Sequence, residues 1–377
     1  MKLLHIADLH LGKRVNEFSL LEDQHYILTR ILTHIENEMP DALLIAGDVY
    51  DKGVPPIEAI TLFDDFLSRL FALNIQTFII SGNHDSPERM TFGSRLMQPS
   101  GIHFAPTYDG TVSPTVLSDR YGELAIYLLP FIKPAVVRPF FPDETIDSYT
   151  DAVRAAVTRL HIDTRRRNVL VAHQFVTGAE RSESEEISVG GSDNIPASVF
   201  ADFDYVALGH IHRPQNIGTH TIRYCGTPLK YSFSESRQEK SITVVELEEK
   251  GTTHIRTIPL VPLHDMRELK GRYEDLTFRP NYEHTQTDDY IHITLTDEDD
   301  IPEAVGKLRA IYPHLMKLDY DNMRTQTAEN VTADLASETF SPLELFAALY
   351  ELQNNQPLSD GQRRYVSHLI ESLWEHE

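Results

Sequence analysis

The sequence feature that most constrains the fold is an apolar strand that ends in a potential ligand. Leu43, Leu44, Ile45 and Ala46 are typical of a strand covered on both faces, and a Gly-Asp pair ending at Asp48 follows them directly. In open α/β sheets, ligands bind at the edge formed by the carboxyl ends of the strands. The segment therefore predicts an α/β protein in which Asp48 lies at a binding edge.

Four other segments share this arrangement, in which an apolar strand is followed at once by oxygen or imidazole side chains. The polar residues that follow the five strands are Asp8, His10, Asp48, Asn83, His84, Asp85, His173, His210 and His212. Each motif alone is more often structural, but the ordered set predicts convergence at one edge. It offers more ligands than one ion needs, so two divalent metal ions are expected. Mixed O and N donors without thiolate suit Mn²⁺, Fe or Zn²⁺ and argue against structural zinc.

Length and cysteine content limit the class of protein. A chain of 377 residues predicts more than one domain, and 41% hydrophobic with 24% charged residues is ordinary for a soluble globular protein. The single cysteine, Cys225, excludes an internal disulfide framework and favours a reducing compartment. No apolar run approaches the length of a membrane span. We therefore expect a cytoplasmic protein with no membrane association.

The net charge of −23 argues at first against a nucleic-acid partner, because phosphate affinity comes mainly from Lys and Arg. The charge is unevenly distributed, however. Residues 281–377 contain 19 acidic and 6 basic residues, whereas residues 1–280 contain 38 acidic and 28 basic residues. Two bound divalent cations would make the first part less negative where a phosphate would lie. The acidity is therefore concentrated away from the predicted metal site.

Residues 1–262 are expected to form a two-sheet β-sandwich flanked by helices. Helical spacing of apolar residues predicts helices over Leu20–Glu38 and Ile57–Leu73. Beyond His212, three alternating segments are expected to be antiparallel strands that complete the second sheet: Thr221–Tyr224, Ser241–Leu247 and His254–Leu260.

The remainder of the chain predicts two further parts. Residues 264–335 are expected to form a small α+β domain, with strands at Tyr290–Leu295 and Leu315–Tyr320. Residues 341–377 contain two amphipathic helices, which are too few to bury their own apolar faces. We expect this helical pair to bind a partner protein through Phe346, Leu349 and Leu369.

Several residues near the predicted ligands leave two interpretations open. Lys13, Arg14 and Arg89 either contact DNA phosphates or are ordinary solvated charges. The polar segment 178–193 is either a surface connection or a loop that contacts substrate. His5 is expected to be a packed histidine rather than a ligand, because strand alternation directs it away from the site.

The ordered motifs resemble those of the calcineurin-like metallophosphoesterases and, within them, the SbcD family, which supplies the nuclease subunits of bacterial SbcCD complexes. The segments that carry the resemblance are Gly47–Asp51 with Pro55-Pro56, Gly82–Ser86, Ser182–Glu185 with Val189–Gly191, Asp204–Pro214, Gly226–Pro228 and Ser232–Glu235. The resemblance spans nearly the whole chain. It implies a metal-dependent DNA nuclease with a capping domain that contacts DNA over 264–335.

The resemblance also implies roles for individual residues. One metal ion would be held by Asp8, His10, Asp48 and His212, and the other by Asp48, Asn83, His173 and His210. His84 would contact the scissile phosphate and assist the leaving group, with Asp85 orienting it. Asp51 stands where archaeal and eukaryotic relatives usually have a second histidine, and it receives no catalytic role. The expected cofactors are two Mn²⁺ ions, and the expected assembly is a homodimer through the catalytic domain, joined by an SbcC-like coiled-coil ATPase into a heterotetramer.

Three classes of function remain open on the sequence alone. The first is the DNA nuclease, with 3′–5′ exonuclease activity on duplex ends and endonuclease activity on single-stranded and hairpin DNA, acting with its ATPase in repair. The second is a phosphodiesterase of the same fold acting on small molecules, which would need neither residues 264–335 nor the helical pair. The third is a binding module on an inactive scaffold, and the complete ligand set with His84 argues against it.

Overall fold

The computed structural model describes residues 1–185, 194–322, 343–344, 346–347, 350–351 and 357–374. The chain divides into two compact units, Met1–Met266 and Arg267–Glu377. The division falls close to the boundary predicted at residue 262. The further separation of residues 341–377 as a helical pair stays a prediction.

Two six-stranded sheets form the first unit. Across the first sheet the strands are β14 (Thr253–Pro259), β13 (Ser241–Leu247), β1 (Lys2–Ile6), β4 (Ala42–Ala46), β5 (Gln76–Ile80) and β6 (Ile102–Phe104). Across the second they are β11 (Gln215–Ile217), β12 (Thr219–Tyr224), β10 (Tyr205–Gly209), β9 (Arg167–His173), β8 (Gly122–Leu129) and β7 (Thr115–Asp119). A separate ribbon joins β2 (Arg14–Val15) and β3 (Phe18–Ser19).

The helices of the first unit connect parallel strands. They are α1 (Leu21–Glu38), α2 (Ile57–Ala72), α3 (Pro87–Met90), α4 (Ser94–Met97), α5 (Pro134–Val137) and α6 (Tyr149–Thr158). Strands β1, β4 and β5 are parallel neighbours, so the crossovers through α1 and α2 place both helices on one face of the sheet. The other face packs against the second sheet through a shared apolar core that includes Leu44, Phe78, Val169 and Ala207. The predicted two-sheet sandwich flanked by helices is confirmed.

The predicted place of the last two strands was wrong. β13 pairs antiparallel with β1 and β14 with β13, so both belong to the first sheet. β12 does lie in the second sheet, where it is antiparallel to β11, as predicted, and parallel to β10. The reason lies in burial: Ile242 and Val244 lie on one face of β13 and Val245 on the other, and all three are buried. Such a strand needs an interior position, and the edge beside β1 provides one with β14 outside it.

The second unit contains a three-stranded sheet and short helices. Its elements are β15 (Met266–Gly271), α7 (Tyr273–Thr277), α8 (Arg279–Tyr282), β16 (Tyr290–Leu295), α9 (Ala304–Arg309), β17 (Leu315–Tyr320) and α10 (Asp360–Trp374). The predicted strands β16 and β17 are confirmed, and they are parallel because α9 connects them. Ile291, Ile293, Leu308 and Leu315 form the core of this sheet and α9. Leu349 lies outside the described residues. In the described part of the chain, no helix has the length and apolar character needed to cross a membrane.

Candidate metal centre

The site lies where β1, β4, β5, β9 and β10 end. Four non-glycine residues just beyond these strands have positive φ angles: Asp8 at 54°, His10 at 43°, Asp48 at 48° and His210 at 100°. Such conformations are unfavourable for L-residues and are concentrated at functional sites, because the surrounding structure must hold them. The sharp turns bring these polar side chains together at the ends of the strands.

The first cluster of ligand atoms surrounds His173. Its Nε2 lies 3.0 Å from Oδ1 of Asn83 and 3.3 Å from Oδ2 of Asp48. Nδ1 of His210 lies 2.9 Å from the same Asn83 oxygen. The predicted ligands of one ion, Asp48, Asn83, His173 and His210, are therefore in mutual contact.

The second cluster surrounds His10. Its Nε2 lies 3.2 Å from Nε2 of His212 and 3.8 Å from Oδ2 of Asp48. Asp8 lies beside His173 and His210 of the first cluster: its Oδ1 is 3.8 Å from Nδ1 of His173 and accepts a 2.9 Å hydrogen bond from the backbone N–H of His210. Asp48 belongs to two metal-compatible groups, one with Asp8 and His173 and the other with His10 and His84. This shared position is the one a bridging ligand needs.

The ring of His173 shows that these residues fit a cation. Its Nδ1 donates to the carbonyl oxygen of Ala46 at 2.8 Å, so in the neutral ring Nε2 carries a lone pair. That lone pair would face the Asp48 and Asn83 oxygens, which also act as acceptors. A second proton on Nε2 relieves this conflict. Burial lowers the pKa of His173, but the Asp48 and Asp8 carboxylates and the Ala46 carbonyl together outweigh it and raise the pKa to about 9. A divalent ion would replace this proton and satisfy all three acceptors.

The pKa values of the other groups in the centre also suit a metal site. Burial raises the pKa of Asp8 well above its usual range, and the nearby Asp48 carboxylate adds to the effect. Burial also lowers the pKa of His10, and lowers that of His210 to about 3, so both rings are neutral at pH 7 and able to bind metal. Two buried carboxylates with neutral imidazoles form a donor set for divalent cations.

His84 and Asp85 occupy different positions beside this centre. The half-buried ring of His84 donates from Nδ1 to the carbonyl oxygen of Asp51 at 3.0 Å, and its backbone N–H donates to Oδ1 of Asp48 at 2.9 Å. The Asp85 carboxylate accepts backbone N–H groups of Val49, Tyr50 and Gly82 at 2.9–3.1 Å. The contact that orients the His84 ring is therefore made by Asp51, while Asp85 holds the two loops that carry Asp48 and Asn83.

The basic residues considered for DNA binding have different surroundings. Lys13 pairs with Asp51 at 2.8 Å and lies 5.6 Å from the centre of the Tyr231 ring. Arg14 is exposed and donates to the carbonyl oxygen of Glu17. Arg89 is exposed in the last turn of α3, which follows the loop of His84. His5 is fully buried and its Nδ1 contacts the Tyr205 hydroxyl at 2.8 Å, so its prediction as a packed histidine is confirmed.

Sequence reasoning missed a layer of residues behind His212. The loop at 182–185 reaches the centre. Ser184 Oγ lies 2.7 Å from Nδ1 of His212, and Glu185 Oε1 accepts a 2.6 Å hydrogen bond from the backbone N–H of His212. Burial raises the pKa of Glu185 to about 7. Glu235, fully buried, and Lys240 complete the layer. The sequence does contain two segments rich in serine and glutamate, at 182–185 and 232–235. Because they are far apart along the chain, their contact could not be predicted. Residues 186–193 of the predicted loop lie outside the described residues.

Comparison with known proteins agrees with this geometry. The family model described as calcineurin-like phosphoesterase matches residues 1–214, and one described as type 5 capsule protein repressor C-terminal domain matches residues 262–354. The chain is therefore a calcineurin-like phosphoesterase, a hydrolase of phosphoester bonds whose domain implies divalent metal ions.

More specific relatives narrow the class. The chain is 33% identical to the SbcD subunit of the nuclease SbcCD from Staphylococcus epidermidis, over 100% of both chains. It is 32% identical to the protein of the same name from Staphylococcus saprophyticus, over 100% of this chain and 99% of the relative. The chain belongs to the SbcD family. Among solved structures, a dimetal phosphatase from Danio rerio aligns over 69% of this chain and 99% of its own, with 11% identity and a TM-score of 0.40, too distant to add to the assignment.

Proposed function

We propose that this chain is a metal-dependent DNA nuclease, the catalytic subunit of an SbcCD-type complex. Full-length similarity to SbcD subunits supports the substrate, and one observation supports the chemistry: Asp48 belongs to two metal-compatible groups at the strand ends. The ions are two Mn²⁺, held by Asp8, His10, Asp48 and His212 on one side and by Asp48, Asn83, His173 and His210 on the other. The protein acts in the cytoplasm.

The chain's own residues prepare the phosphodiester for hydrolysis. When bound, two divalent ions supply Lewis-acid stabilisation of the phosphate and activation of the attacking water. His84 lies beside the shared carboxylate, with Nδ1 bound to the Asp51 carbonyl. When the ring is protonated at both nitrogens, its Nε2–H is available to contact the phosphate and to give its proton to the leaving oxygen. Lys13, Arg14 and Arg89 contact neighbouring phosphates, and the small domain over 264–335 contacts the duplex.

The substrate class is tested with purified protein, Mn²⁺ and a set of phosphodiesters. We expect cleavage of linear duplex ends and of single-stranded and hairpin DNA, all lost in EDTA and in Asp48→Ala. Turnover of bis-p-nitrophenyl phosphate without cleavage of any DNA would instead identify a phosphodiesterase of small molecules. Absence of both activities in protein that holds its metal would identify an inactive scaffold.

The proposed assembly is a homodimer through the catalytic domain, combined with an SbcC-like ATPase into a heterotetramer. The helical pair is the ATPase contact. In the second unit the exposed fraction is 43% for Phe346, 70% for Tyr365 and 45% for Leu369. Exposed apolar side chains on one segment mark a surface that binds another protein. Residues 341–377 contain 6 acidic and 2 basic residues, which makes the helical pair unsuitable for DNA and compatible with a protein partner.

The ATPase contact is tested by co-elution on size exclusion. Tyr365→Glu with Leu369→Glu should abolish co-elution with the ATPase and keep Mn²⁺-dependent cleavage of short single strands. Val305→Glu is the matched control, because Val305 is 40% exposed on α9 of the same unit. Retained co-elution of the double variant would place the contact elsewhere.

A further inference from the structure

His212 is held from behind by a set of residues that belongs to neither ligand group. Ser184 Oγ lies 2.7 Å from Nδ1 of the ring and 2.5 Å from Oε1 of Glu235. The other carboxylate oxygen of Glu235 lies 2.6 Å from Nζ of Lys240, which also donates to the carbonyl oxygen of His212 at 2.9 Å. Both the ring and the backbone of His212 are therefore fixed by this set.

The directions of these hydrogen bonds follow from Lys240, the last residue in this series of contacts. The Lys240 ammonium can only donate, and beside it Glu235 is a carboxylate that can only accept. Ser184 must then give its one hydroxyl hydrogen to Glu235. Its oxygen is left to accept from the ring, so Nδ1 of His212 carries the proton.

The consequence appears on the other side of the ring. A neutral imidazole protonated at Nδ1 has its lone pair on Nε2. That atom lies 3.2 Å from Nε2 of His10, within the second cluster of ligand atoms. The lone pair is therefore directed to the place where the ion shared by His10, His212 and Asp48 would be held.

Burial makes this arrangement durable. Glu235 is fully buried and Lys240 nearly so, and Glu235 also accepts from the hydroxyls of Ser232 at 3.3 Å and Thr227 at 3.5 Å. Donors on all sides favour the ionised form of Glu235, which can only accept, so Ser184 remains a donor toward it. The groups that fix His212 therefore include buried residues of the fold, Glu235 and Lys240, rather than surface side chains alone.

We propose that Ser184 and Glu235 are positioning residues that hold His212 as its Nδ1–H tautomer and thereby reserve Nε2 for one metal ion. This inference rests on the metal centre of the proposed function. Partners of this kind orient metal-binding histidines in many proteins, and their loss typically weakens metal affinity about 10–100-fold.

Three single variants test it. Ser184→Ala removes the hydroxyl, and Ser184→Thr restores one at the same place. Ser182→Ala is the matched control from the same loop, because its hydroxyl accepts from Gln238 at 3.1 Å. Substitutions at these loop positions keep the ion pair between Glu235 and Lys240, whereas a substitution at Glu235 would leave the Lys240 charge buried without its partner.

Two readouts are needed. The ¹⁵N shifts of the His212 ring in metal-free protein, assigned with His212→Gln, report the tautomer. Titration calorimetry with Mn²⁺ alone reports affinity. We expect an Nδ1–H ring in wild type, Ser184→Thr and Ser182→Ala, and a mixture of tautomers in Ser184→Ala. Only Ser184→Ala should bind one of the two ions about 10–100-fold more weakly.

Two results would overturn the inference. One is an unchanged tautomer and affinity in Ser184→Ala. The other is an equal loss in Ser182→Ala, which would mean that loop docking rather than the Ser184 contact matters. A wild-type protein that binds no Mn²⁺ would instead overturn the proposed function, and the tautomer in metal-free protein separates that failure from this one.

Discussion

Replacing Gly82 with alanine should displace the shared carboxylate without removing a ligand. A Cβ on Gly82 would lie 2.1 Å from Oδ1 of Asp48 and 2.5 Å from its backbone nitrogen, whereas real Cβ contacts essentially never fall below 3.0 Å. Asp48 must therefore move by about 0.9 Å, and a shift of about 1 Å in a catalytic geometry can reduce the rate about 10²-fold. Gly82 does not have a positive φ, so backbone strain is not the cause.

The assay compares Gly82→Ala with Gly53→Ala. A Cβ on Gly53 meets its nearest neighbour, the carbonyl oxygen of His84, at 3.7 Å, an ordinary contact in the same region. We expect Mn²⁺-dependent DNA cleavage to fall about 10²-fold in Gly82→Ala and to persist in Gly53→Ala. Overpacking costs about 1–3 kcal/mol, so Gly82→Ala should remain folded at 25 °C by circular dichroism. Near wild-type cleavage by folded Gly82→Ala would refute the close packing of Asp48 against this loop.

Three further predictions concern single groups. Asp48→Ala should reduce bound metal from about two ions per chain and abolish hydrolysis, measured by plasma mass spectrometry and DNA cleavage. His84→Ser should retain both ions and DNA affinity while losing roughly 10²–10⁴-fold in rate, and a loss of metal content would make His84 a ligand. Burial raises the pKa of Asp119, but hydrogen bonds from Arg167 and the N-terminus outweigh it, so the folded pKa is depressed. Asp119→Asn should therefore cost roughly 1–3 kcal/mol at pH 7, and denaturant unfolding should show that difference shrinking as the pH falls below about 4 and vanishing only as the pH approaches the depressed folded pKa.

The position of the metal centre could be predicted from the sequence because it depends on local rules. A buried parallel strand delivers the residues at and after its end to the carboxyl edge: Asp8 and Asp48 follow such strands, and His173 is the last residue of one. The structure brings these three together with ligand atoms within 4.8 Å of one another. Nothing beyond strand identity and direction was needed for that result.

Pairing between strands was less predictable, because alternation marks a strand but does not name its neighbour. The sheet assignment of β13 failed for this reason. The need for Gly209 was equally hidden: a Cβ there would lie 1.9 Å from the carbonyl oxygen of Ala46, since β10 crosses close to β4 of the opposite sheet. The sequence contains the glycine, but only the packing of the two sheets explains it.

The role of Asp85 illustrates why contacts within a site are harder to predict than its ligands. Adjacent to His84 in sequence, Asp85 was expected to orient that ring, yet its carboxylate binds three backbone N–H groups instead. Successive residues in a tight turn point in different directions, so sequence neighbours rarely share a contact. The same reasoning applies to Ser184 and Glu235, which meet at His212 from distant segments. Ligands are set by where strands end, whereas the residues that orient them are set by which loops the fold brings together.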